Sequence, residues 1–299
     1  MAAGNVNVTT AANWIPEIWS SDVQEAVEFA QVIEKRVNNE YEGEVSSMGD
    51  TVNIQTTTNY TANTKSAATD VTFESHTHPQ LQLTINTHQY AAFRVEKIAE
   101  KQAMPGWRQK QTRKLGYALA RAREVTLSAL FDGFADNGTI GTLGTELTDA
   151  DYLTAWQKLA EAGAIDNMGE ADEALSIFLS PAAVAAALKI EKFTNQDFGA
   201  DEGAIKKASI GMIYQGRVFM SNLLEADAAG QHDCAFIHRD ALTIAVQAKP
   251  SVYSDFIIEA ISTAVVSDQI YGARELTRPG ESAANVTLTD GFGCYLATV

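Results

Sequence analysis

Between Glu44 and Phe93 the sequence alternates apolar and polar residues along two stretches, and no helical pattern between them offers cover for the apolar side. Val52 and Ile54 alternate with Thr51, Asn53 and Gln55, and Leu81, Leu83 and Ile85 alternate with Gln82, Thr84 and Asn86. A side-chain period of two belongs to a strand with one buried face. The segment between them, NYTANTKSAATD, is rich in Thr, Asn, Ser and Ala, as an exposed tip is. The pattern predicts a long β-hairpin over 41–94, with arms of roughly 20 residues that reach about 60 Å when extended. A two-stranded ribbon is marginal in water because it has no second layer on which to bury its apolar face. The hairpin therefore needs a partner. A second copy of the chain is the expected one, and packing on its own domain is the alternative.

The stretch before the hairpin, WIPEIWSSDVQEAVEFAQVIEKRV, reads as an aromatic arm followed by a short amphipathic helix. Ser20 or Ser21 suits its N-cap, and Val23, Ala26, Val27, Ala30 and Ile33 share a face. Trp14 and Trp19 lie in an arm with little core of its own, so they must dock on the body of the chain or on a neighbour. After the hairpin, Pro105 to Phe131 reads as one helix about 40 Å long. Proline suits its first turn, and Leu115, Leu119, Ala122, Thr126 and Leu130 form an apolar stripe. Arg108, Lys110, Arg113, Lys114, Arg121 and Arg123 are expected on the faces away from that stripe. A helix near 151–162, the strand LSIFLS, a helix capped by Ser180 and Pro181, and strand-like pieces at 210–222, 233–247, 255–268 and 284–290 follow. The composite is α+β, with long elements threaded through a sheet and helix body.

Charge narrows the function classes. The net charge is −16, yet Arg94 to Arg123 holds nine Lys or Arg against two Glu, which leaves the remainder near −23. Such an acidic chain is not a general nucleic-acid binder. The N-terminus lacks a signal-peptide pattern and no apolar run approaches membrane-spanning length, which predicts a protein of the cytosol or one assembled from it. Cys234 and Cys294 stand in neither a zinc nor a redox spacing and read as small buried hydrophobes.

The best candidates for chemistry are His76, His78 and His88, because a His-x-His pair on a strand puts both rings on one face, as a zinc site requires. Pro79 interrupts the strand and no carboxylate at a suitable spacing completes a set, so these read as exposed polar residues. His232 and His238 flank Cys234, but that segment reads as a buried strand. No nucleophile elbow, phosphate-binding loop, dinucleotide fingerprint or zinc-protease helix occurs. No enzyme, metal or cofactor is expected.

In their order along nearly the whole chain, several phrases resemble the major capsid proteins of tailed phages with the Hong Kong 97 type fold. They are Ile15-Pro16-Glu17-Ile18-Trp19, Gly49-Asp50-Thr51-Val52-Asn53-Ile54, the helix from Pro105, and Leu179-Ser180-Pro181. Further along come Ile210 to Asn222, His238-Arg239-Asp240-Ala241 and Tyr271-Gly272-Ala273-Arg274. The resemblance implies an N-terminal arm over 1–40 and an extended loop over 41–94. It implies a peripheral domain over 95–175 and 253–280 with its spine helix at 105–131, and an axial domain over 176–252 and 281–299. It implies an icosahedral shell of pentamers and hexamers, assembled in the host cytoplasm, that encloses packaged double-stranded DNA, with no membrane involved. A separate scaffolding protein, a portal and a decoration protein are the implied partners. An encapsulin-type compartment of the same fold is the alternative, and a metal-dependent enzyme using His76, His78 and His88 is the third class. Contacts between subunits are expected at Trp14, Trp19, Tyr60, Lys65, Arg108, Arg113 and Arg121. Some members join loops covalently through a lysine, and Lys65 is the lysine near this loop's tip, expected here to be solvated. The basic helix face is expected to meet a neighbour's acidic surface rather than DNA.

Overall fold

A computed structural model of the chain describes residues 31–45, 50–55, 62–73, 80–98, 107–165, 174–194, 211–225, 232–276, 278–279, 288–289 and 292–298. The predicted arm with Trp14 and Trp19 and most of the short helix after it lie outside the described residues, as do Tyr60, His76 and His78.

The alternation around Val52 and Leu83 produces the predicted ladder. Strands β1 (Thr51–Gln55) and β2 (Gln80–Thr84) pair antiparallel, with Val52 opposite Leu83 and Ile54 opposite Leu81. Their cover differs from the expectation. Leu81, Leu83 and Ile85 are buried within the same chain, and Leu83 and Ile85 cluster with Ala245, Ile270 and Tyr41. The root of the hairpin thus lies on the chain's own second half. A glycine makes this possible: a Cβ on Gly272 would stand 2.4 Å from the Thr84 carbonyl oxygen. Arg274 fixes the crossing by donating from Nη1 to the Gln82 carbonyl at 2.6 Å. The hairpin is also shorter than expected at its C-terminal end. Residues from Thr87 leave it for another sheet, because their partners are the long strand that ends at Glu275.

That second sheet has three antiparallel strands in the order β3, β10, β9, where β3 is Thr87–Glu96, β9 is Leu242–Ile257 and β10 is Ser262–Glu275. Its inner face carries Ala91, Phe93, Val252 and Val265, which pack with Leu115 and Ala120 of the long helix. This helix, Trp107–Ala129, follows a short helix, α1 (Glu42–Val45), and is numbered α2. Gln269 pins it to the sheet, donating from Nε2 to the Leu119 carbonyl and to Gln89 Oε1.

The apolar stripe of α2 is as expected at Leu115 and Leu119, but farther along the buried line moves to Leu127 and Phe131. There the helix leaves the three-stranded sheet and enters the main core. The shift in burial corrects one expectation: Arg123 is not solvated with the other basic residues but buried, because the second half of α2 turns that side toward the segment around Glu34. Lys110, Arg113, Lys114 and Arg121 are exposed as expected.

The main core is built on a six-stranded sheet of order β4, β13, β8, β5, β7, β6. Its strands are β4 (Ile140–Gly141), β5 (Leu175–Leu179), β6 (Met212–Ile213), β7 (Gly216–Met220), β8 (Cys234–His238) and β13 (Gly293–Ala297). β11 (Arg278–Pro279) and β12 (Leu288–Thr289) form a separate short pair. Every residue of β5 is buried, which suits a central strand with apolar residues on both faces. Helix α3 (Asp149–Glu161) starts with a capping box between Thr148 and Asp151 and buries Tyr152, Ala155 and Leu159 in this core. Helix α4 (Pro181–Ala187) has the anticipated cap, with Ser180 Oγ accepting from the Ala183 amide at 3.1 Å. A further short helix, α5, covers Glu191–Thr194.

Helix α3 packs on β4 and β13 of the six-stranded sheet. Strand β9 runs unbroken from Leu242 to Ile257, and Leu242, Ile244 and Val246 at its start share a buried cluster with Phe178 and Phe236. The start of β9 therefore belongs to the main core, while Val252 farther along it packs in the separate cluster under α2.

Candidate assembly surface

The surface at issue begins at the far end of the hairpin. Residues 62–73 are all exposed, and they include a turn in which Thr69 donates through its amide and hydroxyl to the Ser66 carbonyl. Lys65 stands there in solvent. Phe73 is 91% exposed and Val71 60%. A phenyl ring left in water forgoes about 1.5–3 kcal/mol of burial, so this segment holds unused binding energy. The alternation Val71, Phe73 was the available sequence signal for these residues, hidden by the polar tip beside it.

A second apolar group was not anticipated. At the turn joining β9 to β10, Ile258 is 80% exposed and Ile261 62%, with Phe256 and Ile98 also open. Ile261 has φ +44°, a left-handed conformation that a β-branched residue adopts only under strain. The Ile261 carbonyl accepts from the Lys97 amide at 3.2 Å, and the Lys97 ammonium lies 5.9 Å from the Phe256 ring centre. An apolar Ile-Glu-Ala-Ile hairpin turn, where polar residues and Gly are usual, is legible in sequence once the turn is placed.

The outer face of the three-stranded sheet is open among the described residues. Tyr90 and Tyr253 are exposed there, and Tyr253 lies opposite Val266, itself opposite Ala92. On the same face His88 Nε2 is 2.9 Å from Asp268 Oδ2, and Ser251 donates to Asp268 Oδ1 at 3.0 Å. The carboxylate sits between the hydroxyl and the imidazole. Activation of a serine needs the imidazole in the middle, so this set does not make a nucleophile. Among the described residues no group of three or more His, Cys, Asp or Glu is arranged to hold a metal.

The basic strip of α2 presents Lys110, Arg113, Lys114 and Arg121 to solvent, while the Arg108 side chain lies outside the described residues. The cysteines offer no reactive thiolate. Burial pushes the Cys234 thiol up to about 11 and the Cys294 thiol up to about 12. Among the described residues no helix is long and apolar enough to cross a membrane.

No family model matches the sequence, and no curated protein matches it. Solved structures do. A chain from Mycobacterium phage Che8 superposes with a TM-score of 0.71 at 19% identity, covering 89% of this chain and 91% of that one. The asymmetric unit of the bacteriophage PhiM1 mature capsid gives a TM-score of 0.64 at 15% identity, covering 87% of each chain. The virus-like particle from Pyrococcus furiosus gives 0.55 at 12% identity, covering 94% of this chain and 98% of that one. At these identities the likeness is one of fold, and it extends over most of the chain. The chain has the α+β fold of tailed-phage capsid proteins.

Proposed function

We propose that this chain is the repeating subunit of a phage-type capsid, a major capsid protein that builds an icosahedral shell around packaged double-stranded DNA. The observation that carries the reading is the hairpin: its root is buried on its own chain, while the described stretch beyond it carries a phenylalanine with almost no cover. An element anchored at one end and apolar at the other is built to bind something outside the subunit. A neighbouring copy supplies that surface many times over in a closed shell. In this reading pentamers and hexamers form the shell in the host cytoplasm, with a scaffolding protein, a portal and a decoration protein as further partners. Lys65 stays a solvated tip residue. Arg113 and Arg121 meet the acidic surface of a neighbour, since copies of a chain with net charge −16 need cations between them.

A shell that encloses cargo other than a genome is the second reading, favoured by the likeness to the Pyrococcus furiosus particle. Expression of the chain followed by light scattering and negative-stain microscopy tests the shared part of both readings. Megadalton particles or capsomer rings are expected, and a small soluble oligomer would overturn both. Deleting Asn59 to Asp70 should leave the body folded and abolish closed particles. Normal particles from the deletion would refute the role given to the hairpin.

A further inference from the structure

Where the N-terminal residues join the body, three charges are buried together. Arg123 Nη1 lies 3.2 Å from Glu34 Oε1, with both side chains almost out of solvent. The next residue on α2, Glu124, is buried as well, and its carboxylate accepts from the Ile33 amide at 3.1 Å and the Val32 amide at 3.4 Å. Arg123 pairs directly with Glu34, while Glu124 is held by the two backbone amides and feels both charges through space. Glu34 Oε2 and Arg123 Nε are buried with no hydrogen-bond partner, so the set is under-satisfied as it stands. With both carboxylates ionised it holds one uncompensated negative charge, and with one proton it is neutral. Buried charge without compensation is costly.

The surroundings add little to cancel that charge. Glu42 of α1 faces the cluster and is itself paired with Lys249 of β9 at 3.1 Å. Lys35 lies on the same turn as Glu34 and is exposed to solvent. The Tyr271 hydroxyl of β10 is within hydrogen-bond distance of Thr126 Oγ1, and burial raises that phenol's pKa, so it stays neutral.

We propose that Glu34, Arg123 and Glu124 form a proton-set latch that fastens the segment Val32–Arg36 to α2, closed when the two carboxylates hold one proton and loosened when they hold none. Burial pushes Glu124 up to about 7, against the pull of the two backbone amides, and burial raises Glu34 as well. Because the charge on Glu34 disfavours a second charge on Glu124, the two carboxylates titrate as a pair. The direction follows from linkage. A carboxyl that binds its proton more tightly when docked favours docking at low pH, and that preference is lost as pH rises from the ordinary carboxylate range toward about 7. Under the shell reading the latch sets how firmly the first residues of the chain are rooted. The latch itself does not depend on that reading.

Hydrogen exchange on the purified full-length chain, in whatever assembly state it takes, tests it between pH 5 and 8. After correction for intrinsic exchange, protection at the Ile33 amide should fall by up to about tenfold per pH unit between pH 5 and 7 and level off above. The Asn38 amide, held by the Leu242 carbonyl of β9 at 3.0 Å, is the internal control and should hold steady. Glu124→Gln, which fixes the neutral form at nearly the same shape, should keep the Ile33 amide protected across the range. Glu34→Gln, which removes the neighbouring negative charge that raises Glu124, should move the fall to lower pH. Wild-type protection that is flat across the range, or a Glu124→Gln chain that retains the wild-type slope, would overturn the latch.

Discussion

Truncating the hairpin at its two ends should have opposite consequences, and the pair Leu83→Ala and Phe73→Ala separates them. Leu83 is fully buried in a cluster formed by its own chain, with Ile85, Ala245, Ile270, Val52, Ile54 and Tyr41 around it. Removing its three terminal carbons takes apolar surface out of a packed site flanked by strand backbone that cannot collapse freely. Leu→Ala changes in such settings cost about 2–5 kcal/mol. The loss should appear in the unassembled subunit as a lowered denaturation midpoint at unchanged slope. Phe73, 91% exposed, touches almost nothing within the subunit. Its truncation should change subunit stability by less than about 0.5 kcal/mol, the usual range for surface changes. If the ring is buried against a neighbour in the shell, each copy loses about 2 kcal/mol of association, roughly 30-fold in affinity per contact. The assay is therefore double: urea denaturation of dissociated subunits, and the threshold concentration for particle formation by light scattering. A Leu83→Ala subunit as stable as wild type, or a Phe73→Ala subunit that is itself destabilised by more than about 1 kcal/mol, would refute the placement of the two ends.

Gly272→Ala should destabilise the subunit by about 1–3 kcal/mol, because the added methyl meets the Thr84 carbonyl at 2.4 Å and both atoms belong to backbone. Thermal melts of dissociated subunits measure it, and an unchanged midpoint would mean that β2 does not cross there. Arg113→Glu combined with Arg121→Glu should leave subunit melting unchanged while weakening assembly and flattening its dependence on salt, since exposed charges act over a screened distance of about 10 Å at 0.1 M salt. Turbidity across a salt series reads both quantities, and an unaltered series would remove the basis for placing a neighbour on that helix face.

Much of the fold was legible because its signals are local. The alternation around Val52 and Leu83 fixes which side chains share a strand face, and the structure pairs those residues as that pattern requires. Pro105 to Phe131 carries few breakers over many turns, and a helix from Trp107 to Ala129 results. Ser180 followed by Pro181 states a helix start in two residues, and the cap is there. The candidate surface was only half legible. The polar tip with Lys65 was visible, whereas Phe73 and the Ile258 to Ile261 turn became notable only when their exposure was known.

By itself, then, the sequence determined the elements, their order, and the apolar faces they must hide. Only the tertiary structure decided what hides them. Arg123, unlike Arg121, stands four residues from both Leu119 and Leu127, but that spacing alone does not say what would receive a cation there. Because α2 rests on one core along its first half and another along its second, Arg123 goes inside beside Glu34 and Arg121 stays in water. Likewise the apolar side of β2 could have met another copy, and it meets Ala245 and Ile270 because Gly272, almost two hundred residues away in sequence, lets two backbones come close enough. A period in the sequence says which residues face the same way. Which distant surface arrives on that face is settled by long-range packing, to which residues contribute without any pattern in their own neighbourhood.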